Sequence, residues 1–169
     1  NADHVTLSKF FRGIQLDASF VPFFKYVKTF ANLAIVSDGL DYAIKTAMRN
    51  AEISNIPIYA NTLLFEPRGI DISWPHQSAS CKVGNGVCKC AVTRSLTDGN
   101  EITVLIGDGK SDACLSSEVN VVFAKDSLAK YCEQQKIPYT KFQTFADVLV
   151  EIKSWSPQQR TVSPAFLFN

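Results

Sequence analysis

No apolar run in this sequence approaches the roughly 18 residues that a membrane-crossing helix needs, and no charged segment leading into an apolar stretch marks a secretory leader. Charge of one sign is not in excess. The 17 basic and 16 acidic residues leave a net charge of +1, which argues against a broad nucleic-acid surface but not against a small anion pocket. Cysteines number five, an odd count that, without a leader, speaks against a secreted disulfide framework and for a reducing, cytoplasmic setting. Methionine is nearly missing: the chain starts Asn1-Ala2-Asp3 and holds Met48 alone. That start sets up the expectation of a fragment, a partial chain or a processed one. What is present is ordinary for a folded domain: 169 residues, 46% apolar and 20% charged, enough to bury a core without metal or disulfides.

Patterning divides the chain into alternating units. Leu7, Phe10 and Phe11 suit one face of a short helix ended by Arg12-Gly13. Asp17 suits an N-cap for a helix near 18–30, with Pro22 in its first turns and Phe20, Phe23, Phe24, Val27 and Phe30 at helical spacing. Leu33-Ala34-Ile35-Val36 is a continuous apolar run, the signature of a strand buried on both faces. Ser37-Asp38-Gly39 breaks it before a helix over 40–48. Residues 56–65 and 70–74, joined by Glu66-Pro67-Arg68-Gly69, predict a β-hairpin, and 75–88 a loop. A helix follows near 89–97, then strands over 102–106 and 119–124, a short helix over 112–118 capped by Ser111, and helices over 127–136 and 145–155. Ile137-Pro138-Tyr139 suits an edge segment, and the stretch from Ser156, with Pro157 and Pro164, suits a loose or surface-packed tail. Residues 1–155 therefore read as one α/β domain, a Rossmann-like parallel sheet with a β-hairpin insertion, and 156–169 as its tail.

In such sheets ligands sit beyond the carboxyl ends of the strands. The first strand delivers Ser37-Asp38-Gly39 there. A hydroxyl and backbone N–H groups at a helix start suit a phosphate, although Ser37 capping its own helix is an equally physical reading. The second delivers Gly107-Asp108-Gly109-Lys110-Ser111-Asp112. Two carboxylates four residues apart suit one hard cation, and an Asx turn with a helix cap is the alternative. Lys89 opens the helix between these units, a compact charge able to neutralise phosphate oxygens.

Ala34-Ile35-Val36-Ser37-Asp38-Gly39, then Lys89, then Leu105-Ile106-Gly107-Asp108-Gly109-Lys110-Ser111-Asp112 together resemble the haloacid dehalogenase superfamily of phosphatases. Ile70-Asp71-Ile72-Ser73-Trp74-Pro75-His76, the cysteine-rich approach to Lys89, and Val122-Phe123-Ala124-Lys125-Asp126 ahead of Tyr131-Cys132 are similar to its phosphoserine-phosphatase-like subgroup, which includes methionine-salvage phosphatases. The resemblance spans about residues 14–155. It implies that Ser37, Asp38, Gly39 and Lys89 bind phosphate, that Ser37 and Lys89 serve catalysis, and that Asp108 and Asp112 hold Mg2+. It leaves Trp74 and His76 as weak substrate contacts. Asp38 stands where the subgroup more usually has glycine or serine.

The first motif of that superfamily, Asp-x-Asp-x-Thr after a strand, is not in this chain. Asp3 has no strand before it and Asp71 lies inside the hairpin, so neither stands in. By the resemblance, the central strand and most of a cap also belong to that segment, and the sheet would need another segment in the vacated slot. The expected function is a magnesium-dependent phosphomonoester phosphatase acting through an aspartyl-phosphate once the first motif is supplied, with a small phosphorylated metabolite as partner and neither nucleic acid nor membrane. A homodimer stays open. The competing expectation is a non-catalytic phosphate-binding or regulatory module. His76, Cys81, Cys88 and Cys90, spaced H-x4-C-x6-C-x-C, form an irregular candidate zinc set, with a reversible Cys88–Cys90 or Cys81–Cys88 bond as another option.

Overall fold

The apolar run at Leu33–Val36 is the heart of a nine-residue strand, β1 (Asn32–Leu40), and its side chains alternate between two cores. Leu33 and Ile35 join one core, with Phe20, Phe23, Phe24 and Val27 of α2 (Phe20–Val27), Met48 of α3 (Asp41–Asn50) and Val148 and Ile152 of α7 (Phe145–Ser154). Ala34 and Val36 join the other, with Cys90 and Val92 of α4 (Lys89–Leu96), Leu115 of α5 (Ala113–Ser116) and Leu128, Ala129 and Cys132 of α6 (Asp126–Gln135). β4 (Thr103–Gly107) and β5 (Val121–Ala124) divide their residues in the same way, Val104, Ile106 and Phe123 to the first face, Leu105, Val122 and Ala124 to the second. A three-layer α/β sandwich results, the arrangement that a sheet apolar on both faces requires.

This computed structural model describes residues 4–67, 69–81, 84–156 and 165–168. Its sheet runs β3-β2-β1-β7-β4-β5-β6. β2 (Ile58–Glu66) and β3 (Gly69–Ser73) form the antiparallel hairpin, and the other pairings are parallel. The mixed α/β class and the hairpin are as the sequence predicts. Helix α1 (His4–Arg12) packs outside this sandwich, with Phe11 and Ser8 inward and Phe10 70% exposed, so Phe10 is not on the packed face expected of it. Among the described residues no helix is long and apolar enough to cross a membrane.

The centre of the sheet departs from expectation. The tail is not merely loose or surface-packed: Ala165–Phe168 is β7, and it lies between β1 and β4. Its backbone pairs row by row with Asn32–Ile35 on one side and Thr103–Ile106 on the other. The slot that the resemblance reserves for an N-terminal strand is filled from the other end of the chain. Without β7 the sheet would fall into two halves, each with an unpaired inner edge. Pro157 and Pro164 lie outside the described residues.

Smaller corrections concern caps and strand ends. Ser37-Asp38-Gly39 is not a turn at a helix start. It is the irregular end of β1, where the pairing with β2 slips between Val36 and Leu40, and the helix begins only at Asp41. Asp17 does not cap α2 with its side chain. Its carboxylate accepts the Ser19 N–H (2.8 Å), the Ser19 hydroxyl (2.7 Å) and, across the fold, the Phe145 N–H at the start of α7 (3.0 Å). The edge strand β6 is Thr140–Lys141, just past the predicted Ile137-Pro138-Tyr139.

Candidate functional site

Ile35 of β1 and Ile106 of β4 both pair with Phe168 of β7. Two residues beyond each, Ser37 and Asp108 stand at equivalent heights on either flank of the central strand. Register, which a one-dimensional reading cannot supply, thus brings the two motifs to one edge.

At the β4 end, Lys89 Nζ donates to Asp112 Oδ1 at 2.5 Å, and the side chains are 2% and 0% exposed. The second carboxylate oxygen of Asp112 accepts the Gly109 N–H at 3.0 Å, which draws the loop after β4 into a 3-10 turn over Lys110–Asp112. Ser111 lies inside this turn, and the cap position of α5 is taken by Asp112 instead. Gly107 makes the approach possible: a Cβ there would lie 2.7 Å from the Asp112 carboxyl carbon, far inside contact distance. The Asp108 carbonyl accepts the Ser127 hydroxyl (2.9 Å) and the Leu128 N–H (3.0 Å), so the first turn of α6 anchors its backbone. Its half-buried carboxylate carries no hydrogen bond among the described residues.

At the β1 end the polar groups are tied into the fold differently. Ser37 Oγ accepts the Gly39 N–H at 3.1 Å and shares no bond with Lys89 or Asp112 among the described residues. With Ile14, Leu16, Phe20, Ile35 and Met48 it lines a cavity of about 200 Å³ on the α2–α3 face. Asp38 reaches across: its Oδ1 accepts the Val87 N–H at 3.0 Å, two residues before Lys89, and its carbonyl accepts Asn61 Nδ2 at 2.7 Å. Asp41 Oδ1 accepts the Leu63 N–H at 3.1 Å. Burial pushes that carboxyl up, but bonds from Lys45 and Leu63 outweigh it and hold Asp41 below its ordinary value of 3.8.

The hairpin and the loop before α4 close over these groups. A Cβ on Gly86 would lie 2.5 Å from both Asn61 Oδ1 and Trp74 Cδ1, so glycine is what lets the loop pass between them. Among the described residues Asn61 Oδ1 is buried and has no hydrogen-bond partner. Trp74 is 53% exposed at the rim. His76 stacks edge-on to Tyr59, with ring centroids 5.3 Å apart, and its carbonyl accepts the Cys88 N–H (2.9 Å) ahead of α4. Asn61 was not singled out from the sequence. It sits mid-strand with no motif around it, and only its contact with Asp38 reveals its place.

Groups able to hold a cation fall into two sets. Asp108, whose half-buried carboxylate is unengaged among the described residues, and Asp112, four residues on, offer hard oxygen donors of the kind Mg2+ takes. The thiols do not gather as the sequence spacing suggests. Among the described residues Cys90 lies with Cys114 and Glu118 rather than with His76, Cys81 or Cys88. Burial, then the neighbouring Cys114 and Glu118, push the Cys90 thiol far up. Burial and its partner Cys81 also raise Cys88. Among the described residues no cysteine is in a disulfide.

Comparison with known proteins adds a family. The model of a family described as "Putative Phosphatase" matches residues 2–158, which leaves β7 outside the match. The 2-hydroxy-3-keto-5-methylthiopentenyl-1-phosphate phosphatase of Bacillus cereus is 31% identical over 141 residues, 82% of this chain and 64% of that protein. Its counterpart in Exiguobacterium sibiricum is 34% identical over 139 residues, 79% and 63% of the two chains. That of Bacillus mycoides is 32% identical over 120 residues, 70% and 54%. The chain thus spans 64% or less of the length of these relatives.

Proposed function

The chain belongs to this phosphatase family, and from that premise we propose that it supplies the phosphate- and magnesium-binding part of a haloacid dehalogenase phosphatase acting on a small phosphomonoester. The first ester to test is the one that names the relatives, 2-hydroxy-3-keto-5-methylthiopentenyl-1-phosphate. The observation that carries the reading is the buried Lys89–Asp112 pair beside Asp108, on the sheet edge that Ser37 shares across β7. A lysine held dry by one carboxylate keeps further N–H donors for phosphoryl oxygens, and in a low-dielectric site such a charge acts strongly on a transferring phosphoryl group. Asp108 and Asp112 would hold Mg2+, which supplies charge neutralisation at the phosphate. Gly109 and Lys89 fix the orientation of Asp112, and the start of α6 fixes the backbone of Asp108. Ser37 would donate to a phosphate oxygen, and Trp74 and His76 would border the leaving group.

The nucleophile of this reading is an aspartate of an Asp-x-Asp-x-Thr segment. Its place would be the end of the central strand, between Ser37 and Asp108, so that segment would take the slot β7 holds. The test joins an Asp-x-Asp-x-Thr strand segment to the N-terminus and assays phosphate release from a panel of esters with Mg2+. Release that disappears on Asp108→Asn supports the reading. A folded product that neither hydrolyses any ester nor gains stability from phosphate and Mg2+ overturns it.

A second reading rests on β7 itself. With the central slot closed by a segment outside the family match, the chain would bind phosphate without hydrolysing esters. A rise in unfolding temperature with phosphate, and no ester hydrolysis by either version, would favour it.

A further inference from the structure

We propose that Cys90, Cys114 and Glu118 form a site for a thiophilic divalent cation of the zinc class, distinct from the Asp108 and Asp112 carboxylates. Cys90 is the second residue of α4 and Cys114 the second of α5, and Glu118 follows just beyond α5. Their ligating atoms all lie within 4.8 Å of one another. Tetrahedral zinc, with Zn–S near 2.3 Å, sets its sulfurs about 3.8 Å apart, so side-chain adjustments of about 1 Å close the site. Two sulfurs and one carboxylate are a borderline-soft set that selects zinc over magnesium. The burial is graded, with Cys90 buried, Cys114 half-buried and Glu118 exposed, so an ion has a route in and water has the fourth position.

Charge also closes. On binding, each thiol gives its proton to solvent as its S–metal bond forms. Two thiolates and a carboxylate then surround a dication, leaving one negative charge. Arg94, one turn along α4 from Cys90, already donates to Glu118 at 2.7 Å and supplies the compensating positive charge. That ion pair is exposed, so Glu118 yields an oxygen to a metal at small cost. The other thiol pair, Cys81 and Cys88, brings no third ligand within reach among the described residues. The cation would tie α4 to α5 directly behind Lys89 and Asp112, adding a second link between the elements that hold the buried pair.

The test uses the whole chain, metal-free and kept reduced with a phosphine, titrated with Co2+ and then Zn2+. A thiolate-to-cobalt charge-transfer band saturating at one ion per chain, displaced by Zn2+ and untouched by excess Mg2+, is the expected result. Zn2+ should also shield Cys114 from alkylation. Cys114→Ser should weaken Zn2+ binding by more than the roughly 10–100-fold that loss of an outer-shell partner costs, Glu118→Gln by about 10-fold, and Cys81→Ser not at all. All three side chains are partly solvent-facing, so the variants fold even if Cys90→Ser does not. Absence of the band, equal affinity in Cys114→Ser and Glu118→Gln, or loss of binding in Cys81→Ser would overturn the proposal.

Discussion

At the end of β4, charge answers charge in a dry place: Lys89 and Asp112 are almost wholly out of solvent and hold each other at 2.5 Å. At the end of β1, partly exposed carboxylates accept backbone N–H groups from neighbouring elements, Asp38 from Val87 and Asp41 from Leu63. Both ends present polar groups at the same sheet edge, yet they are held by different physics. A buried ion pair is costly to break because the surviving partner is left charged in a poor solvent. Hydrogen-bond tethers near the surface are individually weak, because water replaces them. The β4 end is therefore rigid and intolerant of change, whereas the β1 end depends on several small contacts and on the loop before α4.

The two ends share one support, β7, and removing it gives the largest expected effect. A chain truncated before Ala165 separates β1 from β4. It should lose stability on the scale of the whole roughly 5–15 kcal/mol that a domain possesses, read as loss of a cooperative transition in urea. A truncated chain with an unchanged urea midpoint would show that β7 does not bridge the halves.

Next in size is the ion pair. Asp112→Leu and Lys89→Met should each cost about 3–5 kcal/mol in equilibrium denaturation, whereas the double variant should cost clearly less than their sum. With its partner fully buried, Lys89 has a structural role. Additivity of the two losses would show that the pair is not coupled.

Smaller effects belong to the β1 end. Asn61→Ala removes the bond to the Asp38 carbonyl, and about 1–2 kcal/mol is expected, with faster hydrogen exchange at Val87 as the local signature. Unchanged exchange at Val87 would place the tether elsewhere.

The smallest effect is an acid one. Asp41 is held below 3.8 in the folded chain, so the stability it contributes is present above that value and is lost as pH falls through its lower folded value. Asp17, pushed up by burial but held down on balance by Ser19 and the Phe145 N–H, behaves alike. Asp41→Asn should therefore flatten the loss of stability below about pH 4 by less than about 1 kcal/mol, since its Lys45 partner is exposed. An acid-stability curve identical to that of the parent chain would refute the role given to Asp41.

Much of this molecule was legible from local pattern. Strands β1, β4 and β5 announce themselves as short apolar runs because a strand buried on both faces has no polar side, and the helices by their spacing. β7 carries the same signal, Ala165-Phe166-Leu167-Phe168, directly after Pro164. Its four residues at the chain end invite a reading as tail, and proline is acceptable ahead of a strand. Asn61, the tie between Asp38 and Val87, and the gathering of Cys90 with Cys114 and Glu118 have no local pattern, because each joins residues more than 20 positions apart.

By itself the sequence determined the class of fold, the succession of elements along the chain as far as α7, and the residue types delivered to the carboxyl edge. Those follow from interactions within a few residues: apolar periodicity, turn chemistry and backbone preference. Only the tertiary structure decided which segment stands at the centre of the sheet, that Lys89 and Asp112 form one buried pair, and which thiols meet. Those depend on strand order and register, set by how the whole chain covers both faces of one sheet, and no stretch of sequence contains that information alone.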